Sequence, residues 1–437
     1  MKLPERHVLS KSTFIKGVQC TKALYLNKHH KEFKEEPDAA QMAIFAQGTS
    51  VGELAQQLFP GGVDCSPESY YNFQEAVVRT QAEIEKGTKI IFEAAFQYNG
   101  VLAALDILVK DRGGWKAYEV KSSTSISETY LLDATIQYYA ITNFGLPLKD
   151  ISIVYINNQY EKNGPLDVHE LFSMESVRKE VLELLPEIPG KVEELKKVLN
   201  QKTVPKVDIG PHCSNPYTCD FQGHCWKNIP ENSVFNIARL TEAKKFELYS
   251  QKVIAFKDIP DDAPLNDNQW MQVESELNNT TSIDKKKLKE FVKDLQYPLY
   301  FLDFETFGTA VPVFDKSRPY QQLVFQYSLH CLPTAKGKLI HSEFLAEANG
   351  SDPRTLFVEK LVADCGTEGD ILVYNIGFER GKLNELVLQF PKYKTKLNNI
   401  ISRLKDLMTP FQQRWYYTPS MQGSYSIKKV LPALVPE

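Results

Sequence analysis

Two acidic patterns carry the chemistry of this sequence. In the first, Asp106 stands among apolar neighbours in VLAALDILVKD, and Glu119 and Lys121 follow in GWKAYEVKSS. Positions i and i+2 of a strand face the same way, so Glu119 and Lys121 project together. Gathering Asp106, Glu119 and Lys121 across a hairpin is costly unless a cation or a substrate neutralises them. Oxygen ligands of this kind suit Mg²⁺ or Mn²⁺. Such an ion would activate a water and neutralise a scissile phosphate, while Lys121 stabilised the transition state. A surface hairpin with an ordinary cross-strand ion pair is the plain alternative.

In the second pattern, Asp303 and Glu305 are i and i+2 on the aromatic strand of YPLYFLDFETF. Two like charges on an apolar strand repel unless a divalent cation lies between them, and a strand whose acids face solvent is the plain alternative. Further on, DILVYNIGFERGKLNELV places Asn375 at a strand end and Glu379 at a helix start, and SRLKDLMTPF carries Asp406.

The cysteines form a third group. Of seven, Cys213, Cys219 and Cys225 fall in the turn-rich segment PHCSNPYTCDFQGHCW. Turn-rich backbone lets thiolates converge on one point, which suits metal binding better than burial as core residues. Cys213, Cys219, Cys225 and His224 could hold zinc. Alternatively the triplet joins Cys20 to hold an iron–sulfur cluster. Neighbouring side chains rarely converge on one ion, so adjacent His224 and Cys225 favour the cluster, with Cys65, Cys331 and Cys365 as bystanders.

These groups need elements to position them. TKIIFEAAFQYN, VLAALDILVKD and GWKAYEVKSS read as strands, with Gly113–Gly114 as a turn. SETYLLDATIQYYAITNFG has helical spacing, and ISIVYIN is a further strand. Residues 231–291 turn polar and helical, with PDDAP as a loop, and Lys285–Lys287 read as a solvated helix face. LVFQYSLHCL, GKLIHSEFLAE and DILVYN then supply strands of a second α/β domain. The expected division is 1–230, a helical connector at 231–291, and 292–437.

Composition sets the bounds. The 437 residues are 43 % hydrophobic and 24 % charged, which excludes a disordered or fibrous chain. With 51 basic and 55 acidic residues the net charge is −4, so a nucleic-acid partner must be held by a local groove. The opening MKLPERHVLSKSTF lacks an apolar signal core, and apolar runs fall short of the ~20 residues of a membrane span. A cytoplasmic protein is expected.

The joint pattern from about residue 8 to 228 resembles the RecB-like branch of the PD-(D/E)xK nuclease superfamily, including its iron–sulfur exonucleases. That resemblance implies a restriction-endonuclease-like α/β fold, with Asp106, Glu119 and Lys121 as the catalytic set. It also implies Gln137 in DATIQYYA as a supporting residue, and Glu53 in FAQGTSVGELAQQLF as an added metal contact. Cys20, Cys213, Cys219 and Cys225 would hold a [4Fe–4S] staple, although the triplet is C-x5-C-x5-C instead of the commoner C-x2-C-x5-C.

The second half resembles the DnaQ-like (DEDD) exonucleases of the RNase H fold. Asp303 and Glu305 match its first motif, and Glu379 replaces the usual aspartate of N-x-x-x-D. Asp406 is expected to be structural, and the chain is expected to stop before the family's last acidic motif. Taken whole, the order resembles a bacterial family fusing the two domains, in which FLDFET and YNIGFER occur together. The activity implied is metal-dependent hydrolysis of DNA at ends or single strands, alongside a helicase or defence-system partner. A binding scaffold with an inactive DnaQ-like domain, and a DEDD exonuclease acting on RNA, are the alternatives.

Overall fold

The computed structural model describes residues 4–69 and 72–435. It divides into two compact units. One runs to Lys227 and also takes in Thr309–Tyr320; the other comprises Asn228–Gly308 and the chain from Gln321 onward. The three segments expected from sequence are therefore two units, and the first is discontinuous.

The first unit holds a seven-stranded sheet with β1 at Leu9–Ser10, β2 at Val63–Asp64, β3 at Ile90–Tyr98 and β4 at Val101–Asp111. Its remaining strands are β5 at Gly114–Lys121, β6 at Leu148–Ile156 and β7 at Phe172–Ser176. They run in the order β2-β3-β4-β5-β6-β7, with β1 beside β4. The β3–β4–β5 meander is antiparallel, β5 and β6 are parallel, and β7 returns antiparallel. Asn99 and Gly100 make the first hairpin loop, both with positive φ, as a tight two-residue turn requires.

The longer helices are α1 at Lys11–Gln19, α2 at Thr21–His29, α3 at Ala39–Ala55, α4 at Phe73–Lys86, α5 at Glu128–Phe144 and α6 at Ile188–Leu199. A parallel β5–β6 pair needs a crossover, and α5 provides it. Ser127 caps its start and Gly145, in the left-handed region, closes its end. Apolar clusters cover the sheet. Phe14, Leu24, Val101, Ile136 and Leu195 form one, Phe96, Leu105, Ala134 and Ile153 a second, and Val51, Ala55, Ile107, Val154 and Ala310 a third.

The second unit begins with α7 at Glu242–Ser250, α8 at Asp267–Asn278, the two-residue β8 at Ser282–Ile283 and α9 at Lys285–Lys293. Val234, Leu248, Phe256 and Val273 give this part its own apolar cluster. A five-stranded sheet follows, built from β9 at Leu299–Phe307, β10 at Leu323–Leu332, β11 at Ile340–Leu345, β12 at Ile371–Val373 and β13 at Leu404–Asp406. The order is β11-β10-β9-β12-β13, antiparallel through β9 and parallel beyond it. Helices α10 at Arg354–Asp364, α11 at Ile376–Gln389 and α12 at Lys394–Ser402 pack on it, and α13 spans Ile427–Leu434.

The residues read as a connector are tied to the chain's last stretch. Strand β8 pairs with β14 at Tyr416–Tyr417, and Met271 packs with Tyr417, Met421 and Val430. Lys285, Lys286 and Lys287 are exposed, as a solvated helix face should be. Among the described residues no helix is long and apolar enough to cross a membrane.

Candidate functional site

Strands β3, β4 and β5 bring three acids into one row. Phe92 pairs with Ile107 and Ala94 with Leu105, which sets Glu93 opposite Asp106. Ile107 pairs with Tyr118, so the next position sets Asp106 opposite Glu119. Glu93 has a φ of 52°, an unusual backbone state for a residue with a side chain. The Val120 N–H donates to Asp106 Oδ2 at 2.5 Å, fixing that carboxylate against the strand bearing Glu119.

Glu119 is 1 % exposed and accepts from two lysines. Lys121 Nζ lies 2.7 Å from its Oε1, and Lys11 Nζ lies 2.8 Å from the same oxygen. Lys121 also donates to Asp133 Oδ2 at 2.5 Å and sits 5.3 Å from the centre of the Tyr130 ring. Asp133 and Gln137 are one turn apart on α5, hence on one face. Gln137 is fully buried, and neither of its side-chain amide atoms has a hydrogen-bond partner. Glu119 Oε2 and Asp133 Oδ1 are buried and unpartnered too. Orphaned polar atoms inside a protein are costly, and a cluster of them is where a polar ligand fits.

The electrostatics follow from this crowding. Burial, reinforced by Glu119, pushes the Asp106 carboxyl up to about 8. Burial, with Glu119 and Asp64 adding to it, pushes Glu93 up to about 7. Burial acts the same way on Glu119, but the Lys11 and Lys121 ammoniums outweigh it and hold that carboxyl below its ordinary range. The donors available to a hard divalent cation are the oxygens of Asp106 and Glu119, with Glu93 beside them. Among the described residues no three Cys, His, Asp or Glu side chains stand already arranged around a single ion.

Lys11, Lys121 and Asp133 open onto a cleft of about 800 Å³. Its wall includes Lys16, Phe45, Tyr130 and Tyr217. Phe45 on α3 is 60 % exposed although it is aromatic.

Glu53, the metal contact expected from α3, is not in this group. Val51 and Ala55 are buried and mark the sheet-facing side of the helix, whereas Glu53 lies on the opposite, exposed side. Lys11, Asp133 and Glu93 are the site residues that the sequence reading missed. Asp133 had a signal, since it precedes Gln137 by one helical turn.

The four cysteines singled out meet at a second place. Cys20 stands between α1 and α2, and Cys20, Cys213, Cys219 and Cys225 all line one small cavity with Ala23, Leu26 and Phe221. The Cys219 N–H donates to the Cys213 carbonyl at 2.9 Å, and Gln19 donates to the carbonyls of His212 and Tyr217. Burial and the neighbouring thiols raise the Cys20 and Cys219 pKa values. His224 stacks on Phe33 with ring centres 4.1 Å apart and does not line the cavity. The segment is less irregular than its composition suggests, since Pro211–Cys213 and Gln222–Trp226 are short helical turns. All seven cysteines are free thiols.

In the second unit, Asp303 and Glu305 share one face of β9 while Leu302 and Phe304 are buried on the other. Both acids are exposed. The expectation of a repelling pair in apolar surroundings does not describe this strand, because water solvates the acidic face. Glu379 differs, being 2 % exposed with Oε2 unpartnered. Burial, with Asp303 and Asp406 adding to it, pushes it up to about 7. Asp406 accepts the N–H groups of Asn375, Ile376 and Met408, which anchors the β12–α11 junction.

A family model described as Domain of unknown function (DUF2779) matches residues 300–426, from β9 into the C-terminal stretch. The chain is 32 % identical over 162 residues to the uncharacterized protein MG366 homolog of Mycoplasma pneumoniae. It is 30 % identical over 171 residues to the uncharacterized protein UU173 of Ureaplasma parvum. These matches cover 34 % and 37 % of this chain and 24 % of each relative, so about a quarter of either relative's length is spanned.

Proposed function

We propose that this chain is a divalent-metal-dependent nuclease that hydrolyses DNA phosphodiester bonds at ends or on single strands. The observation that carries this reading is the row of Asp106 and Glu119 across the β4–β5 hairpin, with Lys121 on the strand of Glu119 and unpartnered Gln137 one turn from Asp133 on α5. An antiparallel meander, a crossover helix and a parallel strand also suit the PD-(D/E)xK core. A bound Mg²⁺ or Mn²⁺ would supply an acidified water and neutralise charge on the phosphate. Asp106 and Glu119 would hold the ion. Lys121, kept in place by Asp133, would stabilise charge on the phosphate oxygens as the water oxygen bonds to phosphorus and one ester P–O bond breaks. The cleft beside these residues offers lysines for a backbone and aromatic rings for bases, the pairing that suits single-stranded nucleic acid.

Cys20, Cys213, Cys219 and Cys225 fit a [4Fe–4S] cluster better than a Cys3His zinc site, because His224 is engaged with Phe33. The cluster would act as a staple joining α1 and α2 to the segment after α6. A helicase or defence protein is the partner class this reading implies.

A second reading is favoured by Glu379, which is buried with a free carboxylate oxygen close to Asp303. The sheet order β11-β10-β9-β12-β13 suits an RNase H-like fold. On this reading Asp303, Glu305 and Glu379 form a DEDD-type exonuclease site, acting on RNA. Mn²⁺-dependent digestion of end-labelled single- and double-stranded DNA and RNA tests both, with Lys121→Ala and Asp303→Ala run alongside. Full activity in Lys121→Ala sinks the first reading. Binding without any cleavage leaves a nucleic-acid scaffold.

A further inference from the structure

Two lysines share one carboxylate oxygen, and they are held differently. Lys11 is the first residue of α1, and reaches Glu119 Oε1 from 108 positions earlier in the chain. Its place is set locally. Leu9 and Ser10 pair in parallel with Val101 and Leu102 of β4, and Ser10 and Thr13 form a capping box that starts the helix there. Lys121 is fastened twice, to Glu119 and to Asp133, and lies over Tyr130. Lys11 pairs with Glu119, and its flexible stem lines the cleft.

A divalent cation on Glu119 would add two positive charges beside two ammoniums, and the repulsion falls on the less anchored one. We propose that Lys11 is a charge-handover residue: it neutralises Glu119 in the metal-free protein, and turns into the cleft to hold a phosphate of the bound strand when a divalent cation takes the carboxylate. This rests on the nuclease reading and assigns a second lysine to that site. Lys16, which also lines the cleft, is tied to Asp220 at 2.7 Å, and Lys121 keeps Asp133, so Lys11 is the cleft lysine whose hydrogen-bonded carboxylate the metal would take away.

The handover predicts effects of opposite sign from one substitution. The full chain is titrated with Mn²⁺, read by the electron-spin resonance of the free ion, as wild type, Lys11→Met, Lys11→Arg and Asp106→Asn. Binding of a labelled single-stranded oligonucleotide is followed by anisotropy in Ca²⁺ at several salt concentrations. Lys11→Met should bind Mn²⁺ roughly tenfold more tightly, because a like charge has been removed. The same protein should bind the oligonucleotide more weakly, with a salt slope lower by about 0.7, the share of one phosphate contact on a single strand. Lys11→Arg keeps the charge and should match wild type in Mn²⁺ affinity, which separates charge from folding. Mn²⁺ affinity in Lys11→Met equal to or below wild type overturns the proposal, and so does an unchanged salt slope. If Asp106→Asn binds Mn²⁺ as wild type does, the nuclease reading fails and takes the handover with it. Wild-type binding that Asp106→Asn loses, with no gain in Lys11→Met, sinks the handover alone.

Discussion

Lys121 Nζ and Asp133 Oδ2 lie 2.5 Å apart, a contact that ties the crossover helix to the strand carrying Glu119. Asp133 therefore sets where the Lys121 ammonium points. Replacing it should displace the lysine without removing it.

Lys121→Ala is expected to lower Mn²⁺-dependent DNA cleavage by about 10²-fold or more, the cost of losing one preorganised charge at a phosphate. Asp133→Asn should cost less, roughly tenfold, because a neutral amide still accepts a hydrogen bond. Single-turnover rates on a labelled oligonucleotide measure both. Equal losses in the two variants would contradict the positioning role.

The metal-free protein should lose stability as pH rises. Burial and neighbouring acids hold Asp106 at about 8 and Glu93 at about 7. Each keeps a proton in the folded chain that an unfolded carboxyl releases near pH ~4, so stability falls between about pH 5 and about pH 8. Glu119 does not offset this, because the lysines hold its carboxyl below the ordinary range and its contribution is already complete before that interval begins. Urea midpoints across the interval check the slope, which should be shallower in Asp106→Asn. Identical slopes would remove Asp106 from the account.

Anaerobically purified protein should be brown and carry about four irons and four sulfides per chain. Cys20→Ser and Cys225→Ser should each lose most of that iron, while Cys331→Ala, Cys65→Ala and Cys365→Ala leave it unchanged. Iron and sulfide assays decide the matter. A colourless protein holding one zinc reverses the assignment.

Asp406→Ala removes the acceptor for two backbone N–H groups at the start of α11, those of Asn375 and Ile376, and for that of Met408. A loss of about 1–2 kcal/mol is expected, as for a removed helix cap. Thermal unfolding of the variant beside Glu379→Gln separates the two acids, since the Glu379 change relieves a buried carboxyl and should not destabilise.

The hairpin and its D…ExK residues were legible because a strand's period of two states which side chains face together. Helical spacing shows the element that carries Gln137, whereas the residue itself is singled out by the family resemblance alone. Lys11 was not legible, because only the pairing of β1 with β4 brings it to Glu119. Glu93 was hidden by a positive φ in mid-strand, which no residue type announced. Glu53 was misplaced because a helix sequence gives the spacing of a face but not which face meets the sheet. The acids of β9 look crowded in sequence because Leu302 and Phe304 stand next to them, yet those two side chains point to the other face. The connector's tie to the chain's last stretch rests on two-residue strands, too short to leave a pattern.

The discontinuity of the first unit has a bearing on how the chain is made. Ala310 is fully buried in that unit's third apolar cluster, and the Tyr320 hydroxyl donates to the Ser122 carbonyl, one residue beyond Lys121. The ribosome delivers β9 before either of them. The first unit must therefore wait, with Ala310's place unfilled, until part of the second has been synthesised. A gene fragment stopped at Lys227 would yield a nascent domain held at that same waiting stage.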